Sequence, residues 1–335
     1  EQGRTFYTSN AGLMDLKKEI SAYLERKYSL YYSPKSEMMV TVGGSEAIDI
    51  ALRAMLDPGD EVLIPQPSYV SYVPCTILAG GTPVTIELKA EDEFRLTAQE
   101  LRDAITDKTK VLILPFPNNP TGAIMEKKDL EEIAEVVREK DLFVLTDEIY
   151  SELTYKEEHF SIAALPGMKE RTVYINGFSK AFAMTGWRLG YACAPEPLLT
   201  QMLKIHQFAI MCAPTTSQYA AVEALRNCDD EVQKMREQYN ERRRYLLDRF
   251  HNMGLDCFEP FGAFYIFPCI KKLHMTSDEF ATDLLKTKKV AVVPGTAFGD
   301  CGEGYVRISY AYSLDDLKTA VNRIEEYVRE KGINP

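Results

Sequence analysis

The amino-acid sequence predicts an α/β protein with a mostly parallel central sheet, followed by a smaller α+β unit. Over roughly the first two thirds of the chain, short apolar runs alternate with segments of helical spacing, the pattern of parallel strands connected by helices. Towards the C-terminus the strands become shorter and lie between helices. We therefore predict two domains, a large one over residues 1–240 and a small one over residues 241–335.

The first predicted elements lie between the N-terminus and residue 114. Apolar residues at helical spacing predict a helix over residues 13–28. A strand over residues 37–42 ends in two glycines, and Ser45 is the predicted N-cap of the next helix. Thr97 and Glu100 form a capping box that predicts a helix to about residue 105. Strands are also predicted over residues 61–64, 83–88 and 111–114.

The remaining elements complete the sheet and then change in character. A charged amphipathic helix is predicted over residues 129–140, and one long helical stretch over residues 216–253. Buried strands are predicted over residues 142–146, 172–175 and 189–193. In the C-terminal unit, strands are predicted over residues 263–267, 290–293 and 305–309, and helices over residues 277–287 and 314–330.

Composition and charge exclude several classes of function. The net charge of −11 over 335 residues argues against nucleic-acid or anionic-membrane binding, so any phosphate must be bound by a local pocket. Seven cysteines without a CxxC pair predict neither disulfides nor a zinc site, and four histidines show no metal-ligand spacing. No apolar run approaches the roughly 20 residues of a membrane span. These features predict a cytoplasmic enzyme without a metal.

The most informative residue is Lys180, which follows a predicted strand and a turn containing Gly177 and Ser179. A lysine held in this way can lose its proton and form a Schiff base with a carbonyl cofactor. Arg188 follows eight residues later, and the arginine fork suits a phosphate. A Ser-Lys pair alone is more often a surface feature. Whether Lys180 binds a cofactor or is a surface residue therefore depends on the other loops.

Two further loops follow predicted strands, where open α/β sheets bind ligands. Gly43 and Gly44 lead into a helix whose free N–H groups attract an anion, although an ordinary Gly-Gly turn has the same sequence. Residues 115–122 form a Pro/Gly turn. A cis bond before Pro120 is one way in which this turn could orient the Asn119 side chain.

Two charged residues complete the set of candidates. Asp147 ends an apolar strand and is predicted to be partly buried, so its carboxylate needs a cationic or N–H partner. A protonated pyridine nitrogen is one such partner, and a structural arginine or an N-cap role is the alternative. Tyr150 reaches the same site if a helical turn begins at Asp147. Arg307 lies between apolar residues on a short strand, and alternation alone leaves open whether it faces the site or solvent.

Taken in order, these segments resemble the pyridoxal-phosphate (PLP) aminotransferases of fold type I, class I/II. The matching segments are residues 7–12, GGSEA at 43–47, PSY at 67–69, NNPTG at 118–122, DEIY at 147–150, SKAFAMTGWRLGY at 179–191, GAFY at 262–265, PGTAFG at 294–299 and VRISYA at 306–311. They cover nearly the whole chain. The resemblance implies the PLP-transferase fold of type I, with a three-layer large domain and a small C-terminal domain.

The resemblance also implies a role for each residue around the cofactor ring. Lys180 carries the cofactor as a Schiff base and later acts as base and acid at the substrate Cα. Asp147 holds the proton on the pyridine nitrogen, which keeps the ring an electron sink. Tyr150 and Asn119 form hydrogen bonds to the ring 3-oxygen and lower the pKa of the imine. Tyr69 stacks on the face of the ring.

The phosphate and the substrate have their own implied contacts. The phosphate is bound by the side chains of Ser179 and Arg188 and by the backbone of Gly44 and Ser45. Arg307, together with Asn119, binds the α-carboxylate of the substrate. Tyr7 reaches the phosphate of a neighbouring subunit, so the resemblance implies a homodimer with shared sites.

The sequence departs from the family pattern in three places. Many relatives have a phosphate-binding serine three residues before the lysine, where this chain has Gly177, and Ser179 is the candidate replacement. Tyr69 stands where other relatives have a tryptophan. The N-terminal arm of the family, with a glycine near the substrate, precedes Tyr7 and is not in this sequence, which begins at Glu1, so we expect a missing N-terminal segment.

The implied function is transfer of an amino group from an L-amino acid to a 2-oxo acid such as 2-oxoglutarate, with ping-pong kinetics. Two alternatives stay open: a PLP-dependent carbon–sulfur β-lyase of the same fold, and an aminotransferase-like sensor domain of a transcription regulator. The amino-acid substrate is not predicted, because no arginine is assigned to a side-chain carboxylate. The aromatic residues Tyr7, Tyr69, Tyr72 and Phe208 are candidates for an apolar pocket or for the core.

Overall fold

The centre of the fold is a seven-stranded sheet. The computed structural model describes residues 3–156 and 158–332, so the outer limits of the predicted domains at residues 1 and 335 lie outside the described residues. In spatial order β1-β7-β6-β5-β4-β2-β3, the strands are parallel except for β7, which is antiparallel to β1 and β6. The strands are β1 (Met38–Thr41), β2 (Glu61–Gln66), β3 (Thr82–Glu87), β4 (Thr109–Leu114), β5 (Phe143–Asp147), β6 (Thr172–Gly177) and β7 (Gly190–Cys193).

Helices cover both faces of this sheet, which makes the large domain three-layered. Successive residues of β4 point to opposite sides: Leu112 packs in one apolar cluster, while Val111 and Ile113 pack in another. The helices are α1 (Met14–Tyr28), α2 (Gly44–Met55), α3 (Tyr72–Leu78), α4 (Ala98–Ala104), α5 (Lys127–Glu139), α6 (Glu196–Ala209), α7 (Thr215–Asn227) and α8 (Asp229–Asn252). On one face lie α1, α4, α5 and α7, and on the other lie α2, α3 and α6.

A second, three-stranded antiparallel sheet forms the C-terminal unit. It contains β8 (Tyr265–Ile266), β9 (Val293–Pro294) and β10 (Val306–Ser309) in the order β8-β10-β9. Its core is completed by α9 (Ser277–Lys288), α10 (Leu314–Glu330) and the C-terminal half of α8, through Leu246 and Phe250. Because α8 passes unbroken through residue 240, the domain boundary there stays a prediction.

Several local expectations are corrected. The helical stretch over residues 216–253 is two helices, α7 and α8, separated at Cys228. Ser45 lies inside α2, and Gly43 is the N-cap residue, with a φ of 82° that favours glycine. Of the strand expected over residues 290–293, only Val293 lies in a strand, which is β9 (Val293–Pro294). By contrast, the capping box of Thr97 and Glu100 is confirmed.

The topology brings the candidate loops to one edge of the large sheet. Strands β1, β4, β5 and β6 run in the same direction, and each is followed by one of the loops singled out in the sequence. This is the edge at which open α/β sheets place their ligands.

Within the described residues, every helix is too short or too polar to cross a bilayer.

Gly122 connects the loop after β4 to the C-terminal unit. Its φ is +74°, and its carbonyl oxygen accepts a hydrogen bond from Gly262 N at 2.8 Å. A Cβ at this position would lie 2.4 Å from Pro260 Cβ and 2.9 Å from Gly262 O. Gly122→Ala is therefore expected to lower the free energy of unfolding by about 2–4 kcal/mol, because the backbone strain of a positive φ and the steric clash of the new Cβ both destabilise the folded state.

Urea denaturation measures this loss, and Gly80 provides the matched control. Gly80 also has a positive φ, +86°, but a Cβ there meets nothing within 4 Å. Gly80→Ala should therefore cost only about 1 kcal/mol, the backbone strain alone. Equal losses in the two variants would contradict the proposed clash at Gly122.

Candidate active site

Most of the predicted site residues line a single cleft at the carboxyl edge of the large sheet. These are Gly44, Ser45, Tyr69, Asn119, Asp147, Tyr150, Ser179, Lys180, Arg188 and Arg307. Arg307 is contributed by β10 of the small sheet, whereas the others lie in strands and helices of the large domain or in the loops that connect them. The cleft therefore lies between the two units of the fold.

Lys180 is half-buried just after β6, with its ammonium group beside two aromatic rings. Its Nζ atom lies 5.6 Å from the ring centroid of Tyr150 and 5.4 Å from that of Phe264. Burial lowers the pKa of Lys180, and the positive charge of Arg307 lowers it further. The amine is therefore more easily deprotonated than an exposed lysine, which a nucleophilic amine requires.

Asp147 ends β5 and is only 7 % exposed, as its apolar strand predicted. Neither an arginine nor a helix N-terminus is its partner in the described structure. Instead, Tyr72 Oη donates a hydrogen bond to Oδ2 at 2.9 Å and Ile149 N donates one to Oδ1 at 3.2 Å. Burial raises the pKa of Asp147 to about 6, against 3.8 for the ordinary carboxyl. A cationic N–H group in the cleft would stabilise its charged form.

A cradle for an anion lies at the start of α2. Among the residues that the structure describes, no side chain caps this helix, so its first N–H groups are not occupied by a side-chain acceptor. Arg188 lies beside it, in the left-handed region with φ 53°, and its Nη1 donates to Thr185 O at 2.9 Å. A Cβ at residue 43 would come within 2.8 Å of Arg188 Nη2, so glycine is required for this approach.

The lack of space around residue 177 explains why this position is a glycine. A Cβ at this position would lie 2.9 Å from Gly190 Cα and 3.0 Å from Leu189 O, both in the neighbouring backbone. A serine cannot be accommodated there without moving β7. Ser179, two residues later, lines the cleft beside Lys180.

Arg307 faces the cleft, so the solvent-facing alternative is wrong. Its Nη1 donates to Asn119 Oδ1 at 2.8 Å, and its guanidinium lies between the rings of Tyr265 and Phe298, at 4.4 and 4.8 Å from the centroids. Its Nε atom is buried without a hydrogen-bond partner in the described structure. A carboxylate would provide the missing acceptor.

The bond before Pro120 is trans, so a cis bond does not orient Asn119.

Tyr150 lies in the cleft as predicted, with a partner that the sequence did not reveal. Its hydroxyl lies 3.0 Å from that of Tyr265, and the two rings are edge to face. Burial raises the pKa of Tyr150 well above its ordinary value, and the adjacent Tyr265 raises it further. Tyr150 is therefore a neutral phenol at physiological pH and can donate a hydrogen bond.

Two of the predicted aromatic residues lie away from this cleft. Tyr7 is 77 % exposed and lines a separate groove, so it contributes nothing to the site of its own chain. Phe208 is 86 % exposed, which excludes it from the core, and it does not line the cleft of its own chain. Tyr69 and Tyr72 both line the cleft, and their rings meet edge to face at 5.7 Å.

The residues present fit PLP. The cleft contains an anion cradle that suits the phosphate and a lysine with a lowered pKa that suits the aldehyde. It also contains a buried carboxylate that suits the pyridine nitrogen. The arginine whose Nε has no partner in the described structure suits the carboxylate of an amino acid. Covalent catalysis on an amino acid with a bound PLP is what this arrangement can support.

Comparison with known proteins places the chain in a family. The sequence profile described as "Aminotransferase class I and II" matches residues 1–324. The chain is 53 % identical to "Putative aminotransferase YugH" of Bacillus subtilis, over 98 % of this chain and 86 % of that protein. It is 48 % identical to the aspartate aminotransferase of Pyrococcus abyssi, over 99 % and 86 % of the two chains.

A solved structure gives the same result. The aromatic aminotransferase of Pyrococcus horikoshii superimposes with a TM-score of 0.98 at 47 % identity, covering 99 % of this chain and 90 % of that one. This chain belongs to the class I and II aminotransferases, with the PLP-transferase fold of type I. It is a PLP-dependent enzyme of amino-group transfer, as the resemblance implied. These relatives are aminotransferases, which supports neither the β-lyase nor the sensor alternative.

Proposed function

We propose that the chain transfers the amino group of an L-amino acid to 2-oxoglutarate, alternating between the two substrates in a ping-pong cycle. The observation that carries this proposal is the placement of Lys180 and Asp147 in one cleft with two arginines, Arg188 and Arg307. One arginine can bind the phosphate of the cofactor while the other binds the α-carboxylate that amino acids and 2-oxo acids share.

Each side chain has a proposed task around the ring. PLP, when bound, supplies an electron sink for the charge that develops at the substrate Cα. Lys180 would hold the cofactor and would move the proton at the substrate Cα. Asp147 retains the proton on the pyridine nitrogen. Tyr150 and Asn119 donate to the ring 3-oxygen, and Tyr69 packs against the ring face.

The phosphate tasks and the assembly are proposed in the same way. Ser179, Arg188 and the backbone of Gly44 and Ser45 bind the phosphate. The exposure of Tyr7 supports a role in the site of a second copy, and therefore a homodimer with shared sites. We also propose a cytoplasmic location for this chain, as is typical of the family.

A panel of acceptors tests the choice of 2-oxoglutarate. The holoenzyme is first converted with an amino acid, and the return of the visible cofactor band is then followed after each 2-oxo acid is added. We expect the highest rate with 2-oxoglutarate. A higher rate with pyruvate or an aromatic 2-oxo acid would contradict the proposed acceptor while leaving amino-group transfer intact.

Arg307→Ala should weaken the binding of the amino acid. Truncating one partner of a buried, hydrogen-bonded charge pair costs about 2–5 kcal/mol, which corresponds to roughly 30- to 4,000-fold in kcat/KM. Steady-state kinetics should show the loss mainly in KM. The control is Arg323→Ala, an exposed residue of α10, which should retain wild-type constants. An unchanged KM in Arg307→Ala would refute the role of Arg307.

A further inference from the structure

Tyr265 lies at the junction of the two sheets. On β8 it is paired with Ser309 of β10, two residues from Arg307. Residues two apart on a strand point to the same face, so the Tyr265 ring comes to lie beside the Arg307 side chain. The Arg307 Cζ atom lies 4.4 Å from the ring centroid. At its other end, the Tyr265 hydroxyl meets that of Tyr150, which follows β5 of the large sheet, at 3.0 Å.

The direction of the hydrogen bond between the two phenols follows from counting donors. A tyrosine has a single O–H donor. If the Tyr150 proton is directed at the ring 3-oxygen, its oxygen can only accept from Tyr265, so Tyr265 donates. The guanidinium of Arg307 lies over the Tyr265 ring and favours electron withdrawal from it, which makes the hydroxyl a better donor.

We propose that Tyr265 is a positioning residue with two separable tasks, holding the Tyr150 proton towards the cofactor with its hydroxyl and supporting Arg307 with its ring. This inference depends on the functions proposed above for Tyr150 and Arg307. The other titratable groups that surround the two phenols are Asp147, Lys180, Tyr69, Tyr72 and Tyr239. None of them is hydrogen-bonded to either phenol in the described structure.

Two substitutions separate the tasks. Tyr265→Phe removes the hydroxyl and keeps the ring, so it should weaken donation by Tyr150 and raise the imine pKa of the holoenzyme by roughly 0.5 to 1. Its KM for the amino acid should stay within about twofold of wild type, because the ring that packs against Arg307 is retained. Tyr265→Leu removes both features and should raise the imine pKa and also raise KM by roughly 5- to 20-fold.

The measurements are a pH titration of the visible cofactor band without substrate, and steady-state kinetics. Phe298→Leu is the first control, because Phe298 covers the other face of Arg307 without a hydroxyl near Tyr150. It should raise KM and leave the titration unchanged. Tyr239→Phe is the second control, because it removes a hydroxyl from the same aromatic cluster outside the cleft. It should change neither quantity.

Each outcome decides one point. An unchanged titration in Tyr265→Phe overturns the task of the hydroxyl, and equal KM values in Tyr265→Phe and Tyr265→Leu overturn the task of the ring. Tyr265→Phe is nearly isosteric, so the first test does not depend on whether the leucine variant folds. Failure of the proposed functions looks different, because Tyr150→Phe would then leave the titration unchanged, or Arg307→Ala would leave KM unchanged, whatever the Tyr265 variants show.

Discussion

Lys180→Ala is expected to abolish transamination. In the role proposed for Lys180, its amine holds the cofactor covalently and moves the proton at the substrate Cα, and alanine can do neither. Loss of a covalent catalytic group lowers turnover on the order of 10⁵-fold or more. Coupled assays of 2-oxo acid formation measure the loss. Turnover within 100-fold of wild type would refute the assignment of Lys180.

Lys17 provides a stringent comparison for this result. It is buried on α1, and burial lowers its pKa as well, but it does not line the cleft. Borohydride reduction of the wild-type holoenzyme followed by peptide mapping should therefore fix the cofactor on Lys180 alone. Lys17→Gln should retain activity once it is shown to be folded. Label on Lys17 would show that a lowered pKa, and not the cleft, selects the reactive lysine.

Asp147→Asn is the second substitution with a large expected effect. A neutral amide cannot retain a proton on the pyridine nitrogen by charge attraction, so the ring loses much of its capacity as an electron sink. We expect kcat to fall on the order of 10³-fold, the scale on which loss of one electrostatic contact lowers turnover. Asp103→Asn, an exposed residue of α4, is the matched control and should be as active as wild type.

The same substitution should stabilise the cofactor-free protein at neutral pH. The folded-state pKa of Asp147, about 6, lies above the ordinary 3.8, so the folded state binds the proton more tightly than the unfolded state does. Stability is therefore lost as pH rises from about 4 to 6, and the cost above that range is about 3 kcal/mol. Asparagine carries no such cost.

Urea denaturation of the two apoproteins at several pH values tests this expectation. The stability advantage of Asp147→Asn should be near zero at pH 4 and should increase to as much as about 3 kcal/mol at pH 7. An advantage that is independent of pH would contradict the burial argument. Together with the loss of activity, the expected result means that this carboxylate is retained for catalysis at a cost to the stability of the fold.

Part of this organisation was predictable because it depends on local sequence. The apolar run before Asp147 predicted its burial, and Thr97 with Glu100 predicted the start of α4. Pro195 and Pro197 at the start of α6 are further local signals of this kind. The break at Cys228 contains no Gly or Pro, so helical spacing continued through it in the sequence.

The contacts that complete the site were not predictable in the same way. Tyr72 is 75 residues from Asp147 in sequence, and Tyr265 is 115 residues from Tyr150. Their hydrogen bonds depend on how the strands pair and on how the two sheets meet, which no local pattern encodes. Similarly, the need for glycine at position 177 depends on the backbone of β7. The residue types indicated which side chains carry the chemistry, but the folded chain determines which residues form hydrogen bonds to them.

The buried Nε of Arg307 has a practical consequence for work with this enzyme. An N–H group without an acceptor among the described residues favours the binding of a small carboxylate from solution. Acetate, citrate and formate buffers should therefore act as weak competitive inhibitors, whereas uncharged amine buffers should not. Apparent affinities measured in carboxylate buffers will understate the strength with which the amino acid is held.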